Sequence, residues 1–125
     1  LETGIASRRL CVETLDYPLE LVEGLIVGHD LSVCVDVGHL LLAGRDVGEC
    51  MEAFAKRTRV VHLHGVRDGR DHVQIGTLEQ TLVREVVERV ARPGAGQRVL
   101  TLEVFSGEDF ELSMEFMDVL KRKSK

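Results

Sequence analysis

Four times along this chain a short run rich in Val and Leu is followed by a longer stretch with helical spacing, and that alternation constrains the fold more than any other feature. The runs cover residues 9–14, 31–36, 59–64 and 99–104. After the first, Asp16 and Pro18 offer a cap and a first-turn proline for a helix carrying Leu19, Leu21, Val22, Leu25 and Ile26, which Gly28 ends. After the second, a Gly-containing loop leads into a helix over 47–56. The third is followed by a long polar loop, 65–76, and then by Thr77 and Gln80 as a capping-box pair opening a helix over 78–90. Residues 92–96, Arg-Pro-Gly-Ala-Gly, form the clearest loop, and Ser106 with Asp109 opens a last helix reaching about Leu120. Strand–helix alternation of this kind means parallel strands joined by right-handed crossovers. With 125 residues there is room for a single domain, 1–125, of four parallel βα units around one core.

Four parallel strands make either a small open α/β sheet or half of a closed eight-stranded barrel, and the polar residues separate the two. Each run keeps an acid or imidazole near its C-terminal end: Glu13, Asp36, His62 with His64, and Glu103. In a parallel array those ends lie on one side, where barrel enzymes build their sites. Side chains alternate along a strand, so Cys11 goes with Glu13, Cys34 with Asp36, Val60 and His64 with His62, and Thr101 with Glu103. The opposite face then holds Val12, Val33, Val35, Val61, Leu63, Leu100 and Leu102, ready to pack under helices. Three carboxylates and an imidazole converging on one point repel one another unless a cation lies among them. Mixed oxygen and nitrogen ligation suits a divalent metal, Mn2+, Zn2+, Co2+, Fe2+ or Mg2+, held by Glu13, Asp36, His62 and Glu103. On the same side, His39 follows Asp36 by three residues, with Gly38 permitting a tight turn. It can ligate a second metal or act as an acid/base on substrate. His72 in Arg-Asp-Gly-Arg-Asp-His (67–72) is a metal ligand or general acid. Arg67 and Arg70 offer cations to an anionic substrate, and His64 faces metal or substrate.

Composition narrows the partners. A net charge of −5, a pI near 5.5 and 4% aromatic residues argue against a general grip on nucleic acid. No stretch reaches the roughly 20 apolar residues of a membrane span, and no signal peptide opens the chain. Cys11, Cys34 and Cys50 are an odd number without the spacing of a disulfide framework, which points to reduced thiols and a cytoplasmic location, with Cys11 and Cys34 as small core fillers. The basic end, from Lys121 to Lys125, reads as a solvated helix terminus whose cations suit the helix dipole.

The pattern Glu13, Asp36 with His39, His62, His72 and Glu103 resembles the xylose-isomerase-like TIM-barrel superfamily, which includes the second apurinic-endonuclease family and the ketose 3-epimerases. Members carry a strand Glu, Asp-x-x-His, a strand His, a loop His and a final strand Glu, in that order. The resemblance covers nearly the whole chain but only the last four of the superfamily's eight βα units. It implies the C-terminal half of a (β/α)8 barrel, with the N-terminal half absent from this chain. Within the superfamily, Glu-Thr-Leu-Asp-Tyr-Pro (13–18), Asp-Val-Gly-His-Leu-Leu-Leu (36–42), Val-His-Leu-His-Gly-Val (61–66) and Asp71-His72 are similar to the cobamide-remodelling phosphodiesterases. That similarity implies a metal-dependent hydrolase that cuts the nucleotide-loop phosphodiester of a cobamide. Glu13, Asp36, His62 and Glu103 would be ligands, and His39 and His72 would complete the site. Where the trimetal endonucleases carry Asp-x-His in the late loop, this chain has Asp71 and His72 adjacent.

The rival reading is a metal-dependent sugar isomerase or epimerase, in which Glu13 and Glu103 act as bases on opposite faces of a ketose. An apurinic-site endonuclease-like hydrolase comes third, and an inactive or merely metal-binding fragment is the non-enzymatic reading. The expected partner is therefore a small molecule, corrinoid or sugar. A half-barrel leaves strand edges open at 9–14 and 99–104, so two copies pairing their half-barrels into a homodimer is also expected.

Overall fold

The computed structural model describes residues 4–93 and 96–123. Its strands are β1 (Cys11–Glu13), β2 (Ser32–Asp36), β3 (Thr58–Leu63), β4 (Gly65–Arg67), β5 (Arg70–Val73) and β6 (Val99–Leu102). Its helices are α1 (Glu23–Gly28), α2 (Val37–Leu42), α3 (Val47–Ala53), α4 (Gln80–Ala91) and α5 (Gly107–Lys123). Four strands form one parallel sheet in the order β1-β2-β3-β6, and β4 and β5 form a separate antiparallel hairpin. The alternation of strand-like and helix-like runs thus yields the α/β arrangement it predicts. β3 starts and ends one residue before its apolar run and β6 ends two residues before its own, so His64 and Glu103 sit just beyond the ends of β3 and β6.

The strand order never reverses. With right-handed crossovers, every connecting helix then falls on the same face of the sheet. Val33, Val35, Val61 and Leu63 point to that face and are fully buried. They share a core with Ile26 of α1, Leu40 of α2, Val47 and Met51 of α3, and Val83 and Val86 of α4. Val12, Leu100 and Leu102 lie partly buried against it. The other face carries Cys34, Val60, His62 and Thr101. Cys11 is exposed there rather than filling a core, because β1 is an edge of the sheet.

Several local expectations are corrected. No loop follows β2: α2 begins at Val37, because the Asp36 side chain accepts from the His39 N–H and caps it. The segment 65–76 is not a loop but the β4–β5 hairpin followed by a 3-10 turn, Ile75–Thr77. Asp68 and Gly69, at φ 52° and 73°, supply the two left-handed residues that a tight hairpin turn requires. Thr77 is not a cap, since its hydroxyl donates to the Gln74 carbonyl and α4 starts at Gln80 without a side-chain cap. Pro18 introduces a 3-10 turn, Leu19–Leu21, before α1, and Gly28 is the last residue of α1, with the chain turning through Asp30 at φ 52°. Ser106 does open α5: its Oγ accepts from the Asp109 N–H at 3.0 Å. Gly94 and Ala95 of the loop over 92–96, and Ser124 and Lys125 of the basic end, lie outside the described residues.

Because Leu63 stands fully buried at the end of the central strand, Leu63→Ala should cost about 3 kcal/mol of unfolding free energy in urea titrations. A loss below about 1 kcal/mol would mean that the helix layer does not pack on β3 as described.

Candidate metal centre

The C-terminal ends of the parallel strands bring the sequence-predicted acids and imidazoles together. Asp36, fully buried at the end of β2, is the hub. Its backbone N–H donates to the buried Thr14 hydroxyl at 2.7 Å, which ties the end of β2 to the residue following β1. Its Oδ1 accepts from the His39 N–H at 2.8 Å and lies 2.9 Å from His64 Nε2. Its Oδ2 is buried without a hydrogen bond, 3.3 Å from His39 Nδ1 and 3.7 Å from His62 Nδ1.

His62 Nδ1 also lies 3.0 Å from Glu13 Oε1 and 3.1 Å from Glu103 Oε2. One ring nitrogen therefore faces three carboxylates, and a single proton on it can satisfy only one of them fully. Glu13, Asp36, His62 and Glu103 each offer a ligand atom, all within 4.8 Å of one another. Cys34 lies beneath them with Glu13 and His62 in the same range. Burial, then the charges of Glu13, Cys11, Asp36 and Glu103, push the Cys34 thiol up to about 12, so it stays protonated.

A second group adjoins the first and shares Asp36 with it: Asp36, His39, His64 and His72. His64 is fully buried, and both its nitrogens have protein partners, with Nε2 on Asp36 and Nδ1 accepting from the His72 N–H at 3.0 Å. Acceptance at Nδ1 places the proton on Nε2 in the neutral ring. Gly38 makes room for this ring. A Cβ at position 38 would overlap the His64 imidazole, so the glycine serves close approach within α2 rather than the tight turn expected of it. Burial opposes a charge on His64, but the Asp36 hydrogen bond and charge outweigh it and raise the pKa above 6.5. Conversely, burial raises the Asp36 carboxyl, while His64 and the His39 N–H more than offset it and hold the group below its ordinary value.

His72 reaches the site from the hairpin with φ at 56°, an uncommon conformation for a side chain of its size. Its ring stacks between His64 (centroids 4.1 Å apart) and Phe105 (4.2 Å). His72 Nε2 is 3.5 Å from Glu103 Oε2, and its Nδ1 lies 3.0 Å from Asp71 Oδ1 without hydrogen-bond alignment. Asp71 also lies 3.4 Å from His39 Nε2, and the His72 ring beside it, then His39, lowers its pKa. Asp71 and Phe105 escaped the sequence reasoning as site members. Adjacency to His72 was the signal for Asp71, and nothing in the sequence marks Phe105. Arg67 and Arg70 are exposed and face each other across the hairpin turn. They line a small pocket with Asp68, Gln74 and Asp109 rather than the ligand cluster.

The residues fit a divalent ion. Buried Asp36 Oδ2, His39 Nδ1 and His72 Nδ1 all lack hydrogen-bond partners, and such orphaned polar atoms cost free energy unless something binds them. Hard carboxylate and borderline imidazole donors match Mn2+, Zn2+, Co2+, Fe2+ or Mg2+ without choosing among them. Compared with protein-family models, curated proteins and solved structures, the chain finds no match in any of the three.

A proton on His64 places positive charge 2.9 Å from Asp36, where a metal would place its own, so the two compete. With the His64 pKa raised, metal affinity should start to fall above pH 6.5 on acidification and then drop about tenfold per pH unit. Titration with Mn2+ from about pH 8 to about pH 5.5 reads this directly. An affinity unchanged across that range would rule out the His64–Asp36 pair as part of the metal centre.

Proposed function

We propose that this chain carries the catalytic metal centre of a divalent-metal-dependent phosphodiesterase. The observation that supports it best is the pair of adjoining groups sharing Asp36: one rich in carboxylates (Glu13, Asp36, Glu103 with His62), the other rich in imidazole, with His39 and His72 beside Asp36 and His64 holding it in place. Adjacent metal-binding groups joined by one carboxylate suit displacement at phosphorus, where attacking and leaving oxygens both need charge stabilisation. A divalent ion bound there would supply a Lewis acid for a phosphoryl oxygen and would acidify a water. Glu13 and Glu103 hold their carboxylates against His62 Nδ1 and would offset the charge of such an ion. His39 and His72 keep ring nitrogens beside Asp71, and His72 Nε2 can pass a proton to a leaving alkoxide. His64 positions Asp36 from below.

The cobamide nucleotide loop as substrate rests on the sequence resemblance. Phe105 suits it: the ring is 78% exposed, with one face on His72 and the other available to stack on the planar base of such a loop. Arg67 and Arg70, at the tip of the hairpin that carries His72, are the cations nearest in sequence for a negatively charged substrate group. The four sequentially ordered strands, with helices on one face only, fit half of a (β/α)8 barrel closed by four further strands. A homodimer of paired half-barrels is one closure, and its mass in solution tests it. A cytoplasmic location agrees with three free cysteines, and among the described residues no helix is long and apolar enough to cross a membrane.

Full-length protein supplied with Mn2+, Co2+ or Zn2+ should release a cobinamide-type product from cobalamin, and Glu103→Gln should lower turnover at least a hundredfold. Interconversion of ketoses with no cleavage of cobalamin would replace this reading with the isomerase one. Cleavage undiminished in Glu103→Gln would remove the site itself.

A further inference from the structure

The end of the sheet away from the metal centre gathers charge of the opposite sign. Where β3 and β6 begin, a cavity of about 440 Å3 is lined by Lys56, Arg59, Arg89, Arg92 and Arg98, with Glu52 as the acid in the lining. Arg98 donates to three main-chain carbonyls, those of Ala55 (2.5 Å), Arg89 (2.6 Å) and Thr58 (3.3 Å). Arg59 donates to the carbonyls of Lys56 (3.1 Å) and Thr58 (3.0 Å). Neutral carbonyls fix the Arg98 guanidinium in place without cancelling its charge. Arg89 is matched by acids, with Glu52 at 2.8 Å and Glu85 at 3.0 Å. Among the described residues, five cations lie here beside two carboxylates. The C-terminal ends of α3 and α4 come to this region and offset about one unit between them.

This cluster of cations occurs in a chain whose net charge is −5. Burial, with the charges of Arg59 and Arg92, lowers the pKa of Arg98, as expected where cations crowd together. A second, smaller cavity adjoins the first through Lys56 and Arg59, so the basic surface continues toward the start of β2. Guanidinium forks bind tetrahedral oxyanions through paired N–H donors, whereas a lone ammonium acts as a point charge. Lys56 and Arg92 stand exposed at the rim, where an incoming ligand meets them first.

We propose that this cavity is a binding site for a small phosphorylated molecule, its phosphate held by Lys56, Arg59 and Arg92 over a floor fixed by Arg98. A volume of about 440 Å3 lies within the range of small-ligand sites and admits a molecule up to about nucleotide size. The site is separate from the metal centre and does not depend on the proposed hydrolysis.

Pyrophosphate is the probe, titrated calorimetrically into the chain after metals have been stripped with chelator and the chelator removed by gel filtration. The expected result is one saturable site whose affinity falls as salt rises. A Lys56→Gln/Arg92→Gln double variant, folded by circular dichroism because both side chains are exposed, should bind at least roughly tenfold more weakly. Glu13→Gln should bind pyrophosphate as the unaltered chain does. Absence of saturable binding, equal binding by the double variant, or loss of binding in Glu13→Gln would each overturn the proposal.

Discussion

Three carboxylates crowd one imidazole nitrogen: Glu13, Asp36 and Glu103 lie between 3.0 and 3.7 Å from His62 Nδ1. Much of the rest of the structure serves to hold them there. Three neighbouring strands and the residue after a fourth must end level, which a parallel array provides. A buried Thr14 hydroxyl fixes the end of β2, a glycine in α2 lets His64 close under Asp36, and a hairpin swings His72 over the top. Each device is local. Together they concentrate negative charge that water alone would not hold so close.

Charge is sorted along the strands. Acids and imidazoles occupy the C-terminal ends, and arginines occupy the N-terminal ends beside the basic cavity. Neither distribution contributes to the apolar core, which lies between the sheet and its helices. The core explains why the chain folds, and the two charged ends explain what it can bind. Separating them lets one small α/β layer carry two unlike sites.

Much of this was legible in the sequence because parallel strands impose a strict period of two. Val33, Val35, Val61 and Leu63 announced the buried face, and the acids on the alternate positions announced the site. The hairpin was missed although Asp68-Gly69 is a strong turn pair, because its flanks, Arg67 and Arg70, are charged rather than apolar and looked like an exposed loop. The start of α2 was missed because Asp36 serves twice, as strand-end acid and as helix cap. His64 read as a candidate for metal or substrate, whereas in the fold both its nitrogens are taken by protein partners. Phe105 and the basic cavity arise only in three dimensions, since their parts come from distant segments of the chain.

The most direct test of the central feature is the unfolding free energy of the chain and of Glu13→Gln, each with and without Mn2+ near pH 8. Without metal, removing one crowded carboxylate charge should leave stability unchanged or raise it. With Mn2+ at about a hundred times its dissociation constant, the unaltered chain should gain about 2.7 kcal/mol, and the variant should gain far less. A variant that is less stable without metal, yet gains as much from Mn2+ as the unaltered chain, would contradict a site built around a cation.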